Sequence, residues 1–199
     1  KPIAYQGTTI TNALKDYYSF SANREKVEVL KWIVAQPAFT ELKRLSLAEN
    51  KIYTLYTNQY DEMLQTGETP NNLQIAQKFV MNGYDVFLLS NPKATKSADF
   101  IIRKRNCLYY VEGKTSSGGS SLVHRFEKGA EQADRIAINF ISQPKFKPFL
   151  AEIFTSFEKN ENLRELYLFK KSRLISITRK LVNSKICFDV IFKLWNRKK

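Results

Sequence analysis

The stretch ADFIIRKRNCLYYVEGK, residues 98–114, decides the fold that we predict for this chain. It contains two runs of apolar and β-branched residues separated by a short polar turn, a pattern typical of a β-hairpin. We therefore expect strands at residues 98–103 and 108–114. Because successive side chains of a strand alternate between its faces, Glu112 and Lys114 are expected to point the same way.

Further helices and strands are predicted on both sides of this hairpin. Between residues 71 and 142 the periodicity indicates the order helix, three strands, helix, strand. Gly83 follows the first of these helices, as is common where a helix ends. The pattern predicts an α/β or α+β fold with a central mixed sheet of about four strands. The flanking elements are helices at 72–82, 122–135, 147–157 and 185–195 and strands at 84–89, 136–140, 165–169 and 174–178.

The chain is expected to have an N-terminal helical region, residues 1–69, and a core with a basic C-terminal extension, residues 70–199. Apolar residues such as Leu30 and Ile33 recur in the first region at helical spacing. Its tyrosines at 53, 56 and 60 are predicted to form a packing face. The chain starts with Lys1 and not with Met, which is consistent with a piece of a longer protein.

The charge of the chain indicates a polyanionic partner. Lys and Arg total 32 against 19 acidic residues, which gives a formal charge of +13 and a pI near 9.7. Such an excess attracts phosphate polymers, so nucleic acid is favoured over an acidic protein or an unspecific basic surface. The residues expected to contact nucleic acid are Arg103, Lys104, Arg105, Ser120, Arg125 and Lys128.

Several classes of protein are excluded or disfavoured by composition. No stretch approaches the roughly 20 apolar residues that span a bilayer, so no membrane span is predicted. The two cysteines, Cys107 and Cys187, lie among apolar residues and are expected to be free buried thiols. Two cysteines and one histidine cannot build a four-ligand zinc site without carboxylates.

The candidate chemistry lies at the end of the hairpin. Asp99 opens the first strand, so in a hairpin it should lie across from Glu112 and Lys114. The two carboxylates are hard ligands suited to Mg²⁺ or another divalent cation, which activates water and polarises a phosphoryl oxygen. Lys114 can hold the attacking water or stabilise charge on phosphorus. The alternative is an ordinary surface Glu–Lys pair, which contributes little.

The sequence Ala98-Asp99, followed by Glu112-Gly113-Lys114 after an apolar strand, resembles the motif of the PD-(D/E)xK nucleases. The predicted element order matches the core of that superfamily. The resemblance implies metal binding by Asp99 and Glu112 and an accessory catalytic role for Lys114.

The chain departs from that motif at two places. Ala98 stands where the family has proline. The first helix often carries a metal-binding glutamate in the family, whereas here it offers Asn72, Gln74 and Gln77.

A second resemblance covers about the same span. Residues 97–102, 112–115 and 132–135 are similar to the C-terminal nuclease domains of bacterial contact-dependent growth inhibition toxins and to related phage-encoded domains. It implies a domain of a longer protein that is delivered into a target cell, acts in the cytoplasm and has a cognate immunity protein as a possible partner.

Some of these toxins cleave tRNA without metal, and this alternative moves the chemistry to Lys114, Thr115 and His124. His124 is the single histidine and could take the proton of a ribose 2′-hydroxyl. Its other interpretation is a surface histidine. The Ser/Gly loop at 115–121, with Ser120, suits either a bound phosphate or a simple helix cap.

Gln132 is a further catalytic candidate. Together with His124 and Lys128 it recurs every four residues on the helix predicted at 122–135, so these side chains would share a face. Gln132 would orient water or a phosphate there, although a solvated polar face explains the spacing equally well. A nucleic-acid-binding module without catalysis is the third alternative.

Overall fold

The computed structural model describes residues 23–35, 39–46, 51–58, 69–89, 98–117 and 122–197. The chain forms two compact units, Lys1–Val111 and Glu112–Lys199. The functional boundary predicted near residue 69 stays a prediction. Across the described ranges, every helix is too short or too polar to cross a membrane.

Within its described residues, the first unit combines two helices with a mixed ladder of five strands. The strands are ordered β1-β2-β3-β4-β5, and all neighbours are antiparallel except the parallel pair β2 and β3. The elements are α1 (Asn23–Val34), β1 (Phe39–Ser46), β2 (Ile52–Asn58), α2 (Thr69–Met81), β3 (Asp85–Leu88), β4 (Phe100–Lys104) and the first half of β5 (Cys107–Ser116).

The helical prediction for residues 1–69 is correct for α1, where Leu30 and Ile33 are buried, and wrong for β1 and β2. The sequence of β2 is rich in Tyr, Thr and Ile, which pack well on a pleated sheet. The helical prediction was based on the spacing of apolar residues such as Leu30 and Ile33, and the helix that they indicate does not extend to β1 and β2. Tyr56 stacks on Phe87 with ring centroids 4.6 Å apart, as expected for a packing face. Tyr60 lies outside the described residues.

Of the face expected for helix α2, Ala76, Phe79 and Val80 are buried and Leu73 is half-buried, and Ile75 is buried with them. The helix ends at Met81, and Gly83, two residues later, has a φ of 82° in the left-handed region that favours glycine. A Cβ at this position would also meet the ring of Tyr53 at 3.4 Å. The left-handed backbone at Gly83 explains why the helix does not continue past this point.

The predicted hairpin is confirmed. Strands β4 and β5 pair antiparallel from Phe100 opposite Val111 to Lys104 opposite Cys107. Arg105 in the two-residue turn has a φ of 54°. Cys107 is exposed, contrary to the prediction, because it lies at the strand end beside this turn, whereas Cys187 is buried as expected.

The second unit is built from the last half of β5 and three further strands. Strands β5, β6 and β7 are parallel, and β8 is antiparallel to β7. Helices α3 and α4 supply the crossovers that parallel neighbours require. The elements after β5 are α3 (Leu122–Ala130), β6 (Arg135–Phe140), α4 (Phe146–Lys159), β7 (Glu165–Lys170), β8 (Arg173–Thr178), α5 (Arg179–Val182) and α6 (Cys187–Asn196). The α/β class is confirmed, with more strands than the four predicted.

Helix α3 is shorter than predicted, because it ends at Ala130 and not near residue 135. The backbone amides of Gln132 and Ala133 both bond to the carbonyl of Gly129, at 2.9 and 3.0 Å, and turn the chain. A Cβ on Gly129 would lie 2.9 Å from Cδ1 of Ile136, so the helix packs tightly on β6. Gln132 therefore lies in the turn and not on the helix face proposed from the sequence.

The cations of the β7–β8 hairpin hold the end of α6. Lys170 Nζ donates to the carbonyl of Trp195 at 2.6 Å, and Arg173 Nη2 donates to the carbonyls of Leu194 and Trp195 at 2.7 and 2.9 Å. Positive charge at a helix C-terminus satisfies its open carbonyls and its dipole. Burial, and then the nearby Arg173 and Lys171, lower the pKa of Lys170 from its ordinary value.

Candidate functional site

Glu112 is the centre of a polar cluster in the second unit. The residue is 3% exposed as a whole, and its Oε1 accepts hydrogen bonds from Lys114 Nζ and from Gln132 Nε2, the latter at 3.2 Å. The strand places Glu112 and Lys114 on one face, as predicted. The turn after α3 brings Gln132 to the same oxygen. The structure thus joins three of the predicted catalytic residues.

The cluster is buried at its carboxylate and open at its ammonium. The side chain of Lys114 is 24% exposed, against 4% for that of Glu112. A buried carboxylate is costly to desolvate unless it is paired and hydrogen-bonded, and Oε1 of Glu112 meets both conditions. An incoming anion can therefore reach the lysine, while the glutamate stays shielded from bulk water.

Asp99 lies in the first unit, where it is bonded to Asn72. Asn72 Nδ2 donates to Asp99 Oδ1 at 2.8 Å, and the two residues are 7% and 4% exposed. Asp99 directly precedes β4. In the sequence analysis Asn72 is a departure from the nuclease motif, and its contact with Asp99 was not predicted. The contact could have been predicted from the sequence, because Asn72 carries an amide on the helix where the nuclease family often has a metal-binding glutamate.

The donor types suit a hard divalent cation. Mg²⁺ keeps several waters and is usually held by only one or two protein carboxylates together with substrate phosphate oxygens. Among the described residues, no group of three or more His, Cys, Asp and Glu side chains gathers in one place. In the described ranges, the buried carboxylates are Asp99 in the first unit and Glu112 in the second, and their sharing of one cation stays a prediction.

Comparisons with known proteins add a limited finding. No protein-family model matches the chain, and neither does any curated protein. The fold is similar to a chain of the CdiA-CT/CdiI toxin and immunity complex from Burkholderia pseudomallei, at 18% identity and a TM-score of 0.39. The match covers 58% of this chain and 87% of that chain.

The residues of the metal-free ribonuclease alternative are dispersed. Thr115 follows Lys114 in β5, so its side chain points to the opposite face. Its Oγ1 is buried with no hydrogen-bond partner within the described ranges. The side chain of His124 is 64% exposed on α3, and its Nδ1 lies 3.8 Å from Glu127 Oε2.

The start of α3 already carries a negative charge. Glu152 Oε2 accepts a hydrogen bond from the backbone amide of Leu122 at 2.5 Å. This carboxylate satisfies one of the amides that the phosphate interpretation of the Ser/Gly loop would use. Ser120, the loop residue predicted to contact nucleic acid, lies outside the described residues.

The residues of the β4–β5 hairpin that were predicted to contact nucleic acid differ in how far contacts within the protein already engage their side chains. Arg103 is bonded to Asp85 through Nε and Nη2, both at 2.9 Å. Lys104 lies over the ring of Tyr84, 4.5 Å from its centroid. Arg105 is exposed at the turn.

Two further predicted contacts lie on α3. Arg125 Nη1 donates to the carbonyl of Thr115 at 2.7 Å, so this cation holds the helix to β5. Lys128 is exposed. Of this pair, Lys128 is the one that the structure leaves turned toward solvent.

Proposed function

We propose that the chain is a nuclease that hydrolyses phosphodiester bonds at the cluster of Glu112, Lys114 and Gln132. The main support is that Oε1 of the buried Glu112 accepts hydrogen bonds from both the ammonium of Lys114 and the amide of Gln132. If the Glu–Lys pair served only to stabilise the fold, a surface pair or apolar residues at these positions would stabilise it at least as well, because burying charge costs free energy. The basic charge of the chain supports a phosphate polymer as substrate.

Each residue of the cluster has a distinct part in hydrolysis. Water attacks phosphorus and gives up one proton, one P–O ester bond breaks, and the departing oxygen takes up one proton, so that the step balances. Lys114 donates a hydrogen bond to a phosphoryl oxygen and stabilises the charge that grows there. Gln132 holds the carboxylate of Glu112 in position and presents an amide toward water.

A divalent cation such as Mg²⁺ is part of the proposal. Glu112 would hold it, and Asp99 is the second ligand that the motif resemblance implies. When bound, such an ion polarises the phosphoryl group and lowers the pKa of a coordinated water. Asn72 would then fix the orientation of Asp99 through the bond to Oδ1.

We further propose that this nuclease acts as a toxin, because its motifs resemble those of the contact-dependent growth inhibition toxins. In this proposal the chain is delivered into a target cell as part of a longer protein, acts on DNA or RNA in the cytoplasm, and is neutralised by a cognate immunity protein. A cell-growth assay tests it: expression of the chain should stop growth, and Glu112→Gln should restore it.

Cleavage of plasmid DNA and of total tRNA tests the nuclease proposal directly. Each substrate is incubated with the protein in Mg²⁺, Mn²⁺ or EDTA. We expect cutting that EDTA abolishes and that Glu112→Gln and Lys114→Met each reduce at least a hundredfold. RNA cutting that survives EDTA and requires His124 would instead establish the metal-free ribonuclease.

The matched control is the exposed pair of Lys159 and Glu127 in the same unit, which is joined at 3.2 Å. Lys159→Met removes the same charge as Lys114→Met from a surface pair and should leave the cutting rate within twofold. Tight nucleic-acid binding without cutting by the wild-type protein would overturn the nuclease proposal and leave a binding module.

A further inference from the structure

The first unit contains an open groove with a volume of about 490 Å³ that the catalytic proposal does not use. It is lined by Lys31, Val34, Arg103, Arg105, Asn106 and Leu108. Helix α1 supplies the first two of these residues, and the tip of the β4–β5 hairpin supplies the others.

The charge of the groove is positive at its rim. Lys31 is paired with Glu28 at 2.9 Å on the surface, and Arg103 is paired with Asp85. Within the described part of the chain, Arg105 has no ion pair, so the five charged groups sum to one net positive charge. A single phosphate diester carries the complementary charge.

The walls of the groove are apolar. Val34 is half-buried, and Leu108 is 8% exposed at the start of β5. Asn106 adds an exposed amide, which can both donate and accept a hydrogen bond. A flat heterocycle with polar edges suits such a wall and amide, whereas the bases of a duplex are stacked and hidden from it.

We propose that this groove binds one nucleotide of a single-stranded segment, with its phosphate at Arg105 and Lys31 and its base against Val34 and Leu108. The proposal depends on the proposed function for the identity of the polymer. It deepens that function, because it predicts a preference for single-stranded nucleic acid over duplex.

Arg105 occupies a left-handed turn position, with a φ of 54°, that a bulky side chain rarely adopts. Lys171 in the turn of the β7–β8 hairpin has the same feature, with a φ of 59°, and it does not line the groove. The pair offers a matched comparison. Arg105→Asn and Lys171→Asn remove one charge each from equivalent turns, and asparagine tolerates this conformation.

The experiment measures fluorescence anisotropy of a labelled 12-nucleotide single strand and of the corresponding duplex. Glu112→Gln in the full chain serves as the background in order to prevent cutting. We expect Arg105→Asn to weaken single-strand binding at least fivefold and to reduce the salt dependence by about 0.7 in log–log slope, the value for one phosphate. Lys171→Asn should change the affinity less than twofold.

Val34→Ser tests the base contact separately. It should weaken single-strand binding about threefold or more with an unchanged salt slope, and should not affect duplex binding. Equal losses in Arg105→Asn and Lys171→Asn, equal losses for single strand and duplex, or an unaffected Val34→Ser would each overturn the proposal. If single-strand binding requires Arg105 but the wild-type protein cuts no nucleic acid, the groove proposal stands and the nuclease proposal fails. If the protein cuts nucleic acid but its binding does not require Arg105, the nuclease proposal stands and the groove proposal fails.

Discussion

Asn72 donates a hydrogen bond to Asp99 across 2.8 Å, and both side chains are buried. The donor stands on α2, and the acceptor stands just before β4. An amide here satisfies a carboxylate without adding a second negative charge. The first unit thereby keeps a buried aspartate oriented at low electrostatic cost.

Replacing this amide by an acid should make the site dependent on a cation. In Asn72→Asp two buried carboxylates would lie at hydrogen-bond distance, and their repulsion lowers the free energy of unfolding unless a proton or cation intervenes. We expect a lower Tm than wild type in EDTA and a larger rise with Mg²⁺, measured by calorimetry.

Asn82 offers a control for that substitution at the other end of α2. Its Nδ2 donates to the carbonyl of Lys78 at 2.7 Å, so Asn82→Asp also loses a donor. It should lower the Tm without an added response to Mg²⁺. If both variants respond alike, the cation does not bind at Asp99.

The buried pair of Glu112 and Lys114 should separate stability from activity. Lys114→Met leaves a buried carboxylate without its ammonium and should lower the free energy of unfolding by about 3 kcal/mol. The double variant Glu112→Gln, Lys114→Met removes both charges and should recover most of that loss in urea denaturation. It should remain inactive, and a double variant that still cuts would exclude the cluster as the catalytic centre.

Gly129 should resist even a single added methyl group. Alanine normally favours a helix by up to about 1 kcal/mol over glycine. Here its Cβ would lie 2.9 Å from Ile136, so we expect Gly129→Ala to destabilise the fold by about 1 kcal/mol or more. Urea denaturation measures this, with the exposed Lys128→Ala as the neighbouring control. A more stable Gly129→Ala would contradict the close packing of α3 on β6.

The two thiols should differ in reactivity. Cys107 is exposed, whereas Cys187 is 4% exposed, and burial raises its pKa from the ordinary value of 9.0. A disulfide reagent at pH 8 should therefore modify one thiol in the native protein and two after denaturation, and Cys107→Ser should abolish the native reaction.

The same shift gives Cys187 a pH signature. Because the folded pKa is raised, the stabilising contribution of the neutral thiol is fully present below pH 9 and is lost as the pH rises above it. Cys187→Ala should flatten this fall in Tm between pH 8.5 and pH 10. An equal fall in the variant would contradict the assignment.

Sequence alone predicted the hairpin, the helices around it and the association of Glu112 with Lys114. These features depend on local periodicity, and a period of two in a strand fixes which side chains share a face. It also named Gln132, although by a different route, since the residue reaches Glu112 from a turn and not from a helix face.

The failures have tertiary causes. Strand β2 fell inside a region that the spacing of Leu30 and Ile33 predicted to be helical, and only its pairing with β1 and β3 shows that it is a strand. Helix α3 ends early because the backbone amides of Gln132 and Ala133 both bond to the carbonyl of Gly129 and turn the chain, which the spacing of apolar residues does not reveal. The contact between Asn72 and Asp99 spans 27 residues, and no local pattern encodes it.

Several Lys and Arg side chains bond to backbone carbonyls at the C-terminal ends of helices, and this should weaken the binding of the chain to polyanions. Lys170 and Arg173 face the carbonyls that end α6, and Arg179 donates to the carbonyls of Leu163 and Asn160 after α4. Their charges are directed inward at the polypeptide. Retention on a heparin column should therefore be weaker than for a protein of equal formal charge whose lysines and arginines all extend from the surface, and it should rise once denaturant releases these three side chains.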